Sequence, residues 1–387
     1  MRIKEIRHLS VPMTGNIANA VVNFSEHTIS LVAVLTDQVR NGRPVYGIAF
    51  DSIGRFAQGG IINERMVPRL MRAEPESLLG EDGYFDCAKV LACLMRNEKP
   101  GGHGDRAAAA GALELAFWDA NAKLRDEPAY RTIARAFGTQ PVTTGNSVYA
   151  AGGYYYPQDG VGRLKEELLR YKDMGYTSYK MKIGGASLQE DIKRIEAALT
   201  VAGTGDNLSV DANGRFDLTQ ALAYAKAISP YALRWYEEIG DPLDYDLNRK
   251  IAESYDGPIA TGENLFSLID VKNLIRHGGM RAGKDIFQMD PALSYGLTEF
   301  AKMIAAVEAA GFDKNFICPH GGHLINLHIV TAMGLSGCEA YPGVFQPFGG
   351  YSDQCRVENG RIFPAELPGF GIEDKTELKP HIAQLLA

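Results

Sequence analysis

Seven ionisable residues recur along this chain at the spacing of a repeated structural unit. Lys182, Asp211, Glu237, Glu263, Asp290 and His320 follow one another at steps of 29, 26, 26, 27 and 30 residues, with Glu339 a further 19 on. One strand, one helix and their turns occupy about that much chain, so the set is expected at one height on successive barrel strands. The C-terminal strand ends of such a barrel are where chemistry sits. Asp211, Glu237 and Glu263 then converge as three carboxylates with no thiolate or imidazole among them. That donor set calls for a hard cation, Mg²⁺ best and Mn²⁺ less well. Lys180 and Lys182 lie in Thr177-Ser-Tyr-Lys180-Met-Lys182-Ile-Gly-Gly185, which reads as a strand ending in glycines. Alternate strand residues share a face, so the two ammonium groups point together, and their repulsion is expected to lower a lysine pKa. A lysine that is partly neutral can act as a base. His320 approaches the same point from the other side, with Asp290 placed to hold its imidazole and fix the tautomer. His323 competes for the histidine role, and Pro319 favours His320 by placing it at the strand end. Glu238, next to Glu237, is expected to point to the other face.

The elements that must carry these residues are visible in the hydrophobic pattern. Residues 1 to about 50 read as strands, with a small polar segment, Pro12–Ala20, between the first two. From about 61 to 138 the pattern is helical, clearest over Asp105–Leu124, so the front of the chain is expected to be an α+β unit, residues 1–140. From about 143, short strands alternate with helices, one of them opened by a Ser187/Glu190 capping box. The strand candidates run 146–151, 177–182, 207–211, 233–237, 258–263, 285–290, 315–320 and 337–339, which predicts an α/β fold of the (β/α)8-barrel type over 141–345. The Gly/Pro-rich remainder, 346–387, is expected to fold back on the front unit.

Composition narrows the partners. A net charge of −7 and 22% charged residues, with no basic, aromatic-interleaved stripe, argue against nucleic acid or an anionic membrane. No secretory leader or long apolar run is apparent, and the five cysteines form no C-x-x-C pair, which suits buried thiols in a cytoplasmic protein. Gly278–Lys284 imitates a phosphate-binding loop but precedes a strand and has Asp285 where Ser or Thr is needed. Gly101–Gly104 lacks dinucleotide-binding spacing.

The K-x-K strand, D-A-N-G at 211–214, W-Y-E-E at 235–238, G-E-N at 262–264 and P-H-G at 319–321 together resemble the enolase superfamily. The resemblance is to its mandelate racemase subgroup and, within that, to the D-tartrate dehydratases. It implies a modified (β/α)7β barrel, with the eighth helix lost or replaced. An N-terminal domain would cap this barrel, and a loop around residues 13–27 would close it. It implies Mg²⁺ on Asp211, Glu237 and Glu263, Lys182 as base, His320–Asp290 as the opposing dyad, and a homo-oligomer. One departure is Glu237-Glu-Ile-Gly-Asp-Pro242, three residues longer than the commoner E-E-P. The reaction expected is dehydration of an acid sugar or hydroxy diacid, D-tartrate to oxaloacetate. Lys182 removes the α-proton, Lys180 and Mg²⁺ stabilise the enediolate charge, and His320 assists loss of the β-hydroxyl. Asn19, Lys99 and Tyr156 are expected to reach the barrel mouth as substrate contacts, alongside Lys180 and Glu339, with Lys99 suited to a distal carboxylate. Two alternatives share the residues: a racemase or epimerase using the same two bases, and a non-catalytic Mg²⁺-dependent dicarboxylate-binding protein.

Overall fold

β-branched and apolar residues, interrupted only by Ser30, fill β2 (Thr28–Arg40) as far as Thr36, and the strand is buried on both faces from Ile29 to Val34. It is the central strand of an antiparallel sheet, between β1 (Ile3–Pro12) and β3 (Arg43–Phe50). The computed structural model describes every residue except Asn16 and Pro157. Two short helices follow, α1 (Val67–Met71) and α2 (Cys87–Leu94), then the long α3 (Asp105–Arg125) and α4 (Ala129–Phe137). α3 is alanine-rich and buried around its whole circumference, as a helix clamped between two layers must be. A Cβ on Gly47 of β3 would lie 1.9 Å from the Ala116 carbonyl oxygen, so only glycine lets this helix rest directly on the sheet.

The rest of the chain is built on a parallel sheet with helical crossovers. Its units are β4 (Asn146–Ala151), α5 (Gly160–Asp173), β5 (Tyr179–Lys182), α6 (Leu188–Ala202), β6 (Leu208–Asp211), α7 (Leu218–Ile228) and β7 (Trp235–Glu237). They continue through α8 (Tyr245–Ser254), β8 (Ile259–Thr261), α9 (Leu268–His277), β9 (Ile286–Phe287), α10 (Leu297–Ala309), α11 (Leu324–Met333) and β10 (Cys338–Ala340). The strand order is β10-β4-β5-β6-β7-β8-β9. The Ser187/Glu190 capping box opens α6, and Asp217 caps α7. Register delivers the spacing read from the sequence: Lys182 pairs with Asp211, and Asp211 with Glu237.

One expected strand, 315–320, forms no ladder. It contributes a single parallel bridge, Phe287–Ile317, with Cys318 N donating to Phe287 O at 2.9 Å and His320 N to Gln288 O at 3.2 Å. A 3₁₀ turn at Lys314–Phe316 takes its first residues, and Pro319 lacks an N–H to extend it. The chain after β10 first returns to the barrel, where β11 (Arg361–Ile362) pairs antiparallel with β4. It then crosses to the N-terminal sheet, where α12 (Lys379–Leu386) accepts a hydrogen bond from Arg7 Nη1 at the Leu385 carbonyl. Among the described residues no helix is long and apolar enough to cross a membrane. Cys87, Cys318 and Cys338 are buried thiols, and Cys93 and Cys355 are half-buried.

Candidate active site

β5, β6 and β7 end side by side, and their last residues meet below a cavity of about 230 Å³ between barrel and cap. One carboxylate oxygen each from Asp211, Glu237 and Glu263 lies within 4.8 Å of the other two, a separation that one small cation can span. Asp211 and Glu237 are fully buried, and such groups are tolerated only when paired. Lys182 Nζ lies 2.5 Å from Asp211 Oδ2, and Lys180 Nζ lies 2.5 Å from Glu237 Oε1 and 2.7 Å from Glu339 Oε1. Asn213 N donates to Asp211 Oδ1 at 2.8 Å, and Trp235 Nε1 to Glu237 Oε2 at 2.7 Å.

The lysines behave differently from the sequence expectation in this state. Burial is the largest effect and pulls the Lys182 pKa down, but Asp211, Tyr154 and Glu263 together outweigh it, and the net shift is upward. Lys180 is raised well above its usual value against burial, by Glu237 and Glu339. The mutual repulsion does lower Lys182, but it is a smaller effect than the facing carboxylate. Burial leaves Glu237 shifted up to about 7 despite Lys180, because Asp211, Glu339 and Glu263 crowd it with like charge.

Across the cavity, His320 Nδ1 lies 3.0 Å from Asp290 Oδ2 and its Nε2 lies 3.7 Å from Glu263 Oε2. Asp290 is oriented in turn by Ala292 N at 2.8 Å and Asn326 Nδ2 at 3.2 Å. Burial opposes the imidazolium, yet Glu263 and Asp290 carry the His320 pKa up to about 10. His323 occupies a different place. It is the N-cap of α11, its Nε2 lies 3.2 Å from Ser52 Oγ, and burial depresses its pKa to about 4. It does not line the cavity, whereas His320 does.

Of the substrate contacts expected from sequence, Asn19 lines the cavity, in a turn closed by its own side-chain Oδ1, which accepts from Val21 N and Val22 N. Lys99 does not reach it. It is exposed beyond α2, where its backbone carbonyl accepts from Arg106 Nη1. Tyr156 also turns away, toward Arg163 and Glu167 of α5, and Tyr154, two residues earlier, faces Lys182 instead, with Nζ 5.6 Å from its ring. Lys180 and Glu339 sit beneath the cavity and line none of it. Glu339 accepts from Gly321 N at 2.9 Å and Tyr341 Oη at 3.0 Å as well as pairing with Lys180.

Three lining residues were not assigned to the site from the sequence. Glu238 does not face away, because a left-handed backbone (φ 40°) swings its side chain into the cavity wall, where it accepts from Asn264 Nδ2 at 2.7 Å. Arg55, in the loop after β3, donates to Asn264 Oδ1 at 3.0 Å. Tyr341 Oη lies 2.9 Å from His320 Nε2. Only the sequence order, with Tyr341 two residues after Glu339, hinted at the last.

A family model described as "Enolase C-terminal domain-like" matches residues 163–378. The chain is 25% identical to an arabinonate dehydratase from Saccharolobus solfataricus, over 95% of this chain and 96% of that protein. It is also 25% identical to an L-talarate/galactarate dehydratase from Salmonella typhimurium, over 93% and 85%. A racemase from Streptomyces coelicolor A3(2), solved with bound magnesium, superposes with a TM-score of 0.77 at 22% identity, covering 98% of each chain.

Proposed function

The chain belongs to the enolase C-terminal domain-like family, and on that premise we propose that it is a Mg²⁺-dependent hydro-lyase that dehydrates a small hydroxy diacid, D-tartrate to oxaloacetate and water. The observation that carries the reading is the opposed pair: Lys182 and His320 face one small cavity, with three converging carboxylates at its base. Relatives across most of the chain's length are named as dehydratases of sugar acids, which supports the reaction class. The volume of about 230 Å³ lies below the roughly 300–1,000 Å³ of pockets for drug-sized ligands. That suits a small acid.

Asp211, Glu237 and Glu263 would hold the cation, and their all-oxygen donor set fits Mg²⁺. When bound, Mg²⁺ supplies Lewis-acid stabilisation of charge developing on the substrate carboxylate. A cation that took up Asp211 would relieve the carboxylate that raises the Lys182 pKa, and the neighbouring Lys180 charge already acts to lower it. Lys182 takes the α-proton. On the other side His320, held charged by Asp290, gives its Nε2 proton to the departing β-hydroxyl, which leaves as water. The enol that remains tautomerises to the 2-keto acid, and solvent resets both groups.

The test is a screen of acid sugars and hydroxy diacids with keto-acid detection. Four-carbon dihydroxy diacids are expected to lead, and a strong preference for six-carbon monoacids would overturn the tartrate assignment. Turnover should vanish on exhaustive chelation and in Glu263→Gln. Wild-type rates in either case would remove the metal from the mechanism. A racemase reading draws on the same facing bases and on the similar racemase structure; its product would be the inverted hydroxy acid with no keto acid.

A further inference from the structure

We infer that Arg55 reads a second carboxylate on the substrate and so sets a preference for diacids over monoacids. The inference rests on the proposed hydroxy-acid chemistry and goes beyond it by assigning the residue that selects the substrate class. Three cationic side chains line the cavity among the described residues: Lys182, His320 and Arg55. Two are already committed, Lys182 to Asp211 and His320 to Asp290. Arg55 differs. Its two side-chain hydrogen bonds go to neutral oxygens, Gly54 O at 3.0 Å and Asn264 Oδ1 at 3.0 Å. It makes no ion pair among the described residues. A guanidinium carries five N–H donors in a planar fork, so several remain free.

Position supports the assignment. Arg55 is half-buried in the loop after β3 of the cap, while the three carboxylates come from barrel strand ends. Its plane is steadied by the Phe266 ring, 4.9 Å from the guanidinium carbon to the centroid, and by Asn264, itself hydrogen-bonded to Glu238. An acid gripped at one end by the barrel would present its other end to the cap. A remote carboxylate there meets the fork that matches it bidentately. A hydroxymethyl group in the same place does not.

The experiment compares tartrate with the four-carbon aldonic acid that carries a hydroxymethyl group instead of the second carboxylate, in the Mg²⁺-loaded wild type, Arg55→Met and Arg55→Lys. Arg55→Met is expected to lose about 10- to 100-fold in kcat/KM on tartrate, the worth of hydrogen bonds to a charged group, mostly through KM. It should change little on the monoacid, and Arg55→Lys should recover part of the loss. Binding is read separately by calorimetry with malate and 2-hydroxybutyrate, which lack the vicinal diol. Malate affinity should fall in Arg55→Met and 2-hydroxybutyrate affinity should not. Equal losses on diacid and monoacid, or an unchanged preference, would overturn the assignment. Failure of the wild type to turn over either acid would instead count against the proposed reaction, with the malate comparison still deciding the role of Arg55.

Discussion

His320 is charged from both sides, and that charge has measurable consequences. Its folded pKa of about 10 stands above the ordinary imidazole value, because Glu263 and Asp290 outweigh burial. A raised pKa means the folded state holds the proton more tightly than the unfolded one. The resulting stabilisation is complete below about pH 6.5 and is lost as pH rises through about 10. For the metal-free protein, the gap in Tm between wild type and His320→Asn should therefore narrow as pH goes from 6 to 10. A gap that stays constant would show that the charge contributes nothing. Tyr341 sets the direction of the same proton, since its hydroxyl meets His320 Nε2 at 2.9 Å and donates to Glu339 at 3.0 Å. Tyr341→Phe removes that contact and leaves the Lys182–Asp211 pair in place. Dehydration should slow by about 10-fold while exchange of the α-proton with solvent persists; equal loss of both would assign Tyr341 to packing alone.

At the level of elements, the cap is fastened to the barrel by carboxylates buried on α3. Glu114 accepts from Leu297 N at 2.9 Å, Thr298 N at 3.0 Å and Trp118 Nε1 at 2.9 Å, so a cap residue supplies the N-terminal cap of α10. Gly296 (φ 84°) must be glycine there, since a Cβ would lie 2.2 Å from a Glu114 oxygen. Asp119 does the same for the C-terminal segment, accepting from Phe370 N at 2.6 Å and Ile48 N at 2.7 Å. Glu114→Ala leaves those donors buried and unpaired and should destabilise by about 1–3 kcal/mol, read as a lower denaturant midpoint of the whole chain. An unchanged midpoint would mean water replaces the carboxylate without cost. The sequence could not announce these residues, because their partners on other elements lie 71 to 251 positions away and an alanine-rich helix shows no preferred face. What it did announce was the barrel period. A step of 26 to 30 residues survives folding as strand register, and Lys182, Asp211 and Glu237 stand side by side for that reason. The reading failed where geometry is local and irregular. Glu238 turns inward through one left-handed residue, and Lys99 stays outside while Arg55 lines the mouth.

Across the whole molecule, no single domain contains the site. The cap contributes Asn19, Phe24 and Arg55, the barrel contributes Lys182, Glu263 and His320, and the chain after β10 contributes Tyr341 and Phe345. The aromatic residues join these parts physically: Phe345 packs against Phe24 at 4.9 Å, Tyr341 at 4.8 Å and Tyr154 at 5.8 Å between centroids. With a net charge of −7 the protein offers an anion little long-range attraction, so binding depends on the few cations concentrated at this seam. In the proposed mechanism the order of events is fixed: Lys182 would remove the α-proton before His320 releases the β-hydroxyl. The direct measurement follows the α-proton of tartrate by NMR in deuterated, Mg²⁺-containing buffer. Lys182→Ala should abolish both dehydration and exchange, whereas His320→Asn should lose dehydration by about 10²–10⁴-fold and still exchange the proton. Exchange kept in the lysine variant and lost in the histidine variant would contradict the account and make the histidine the base.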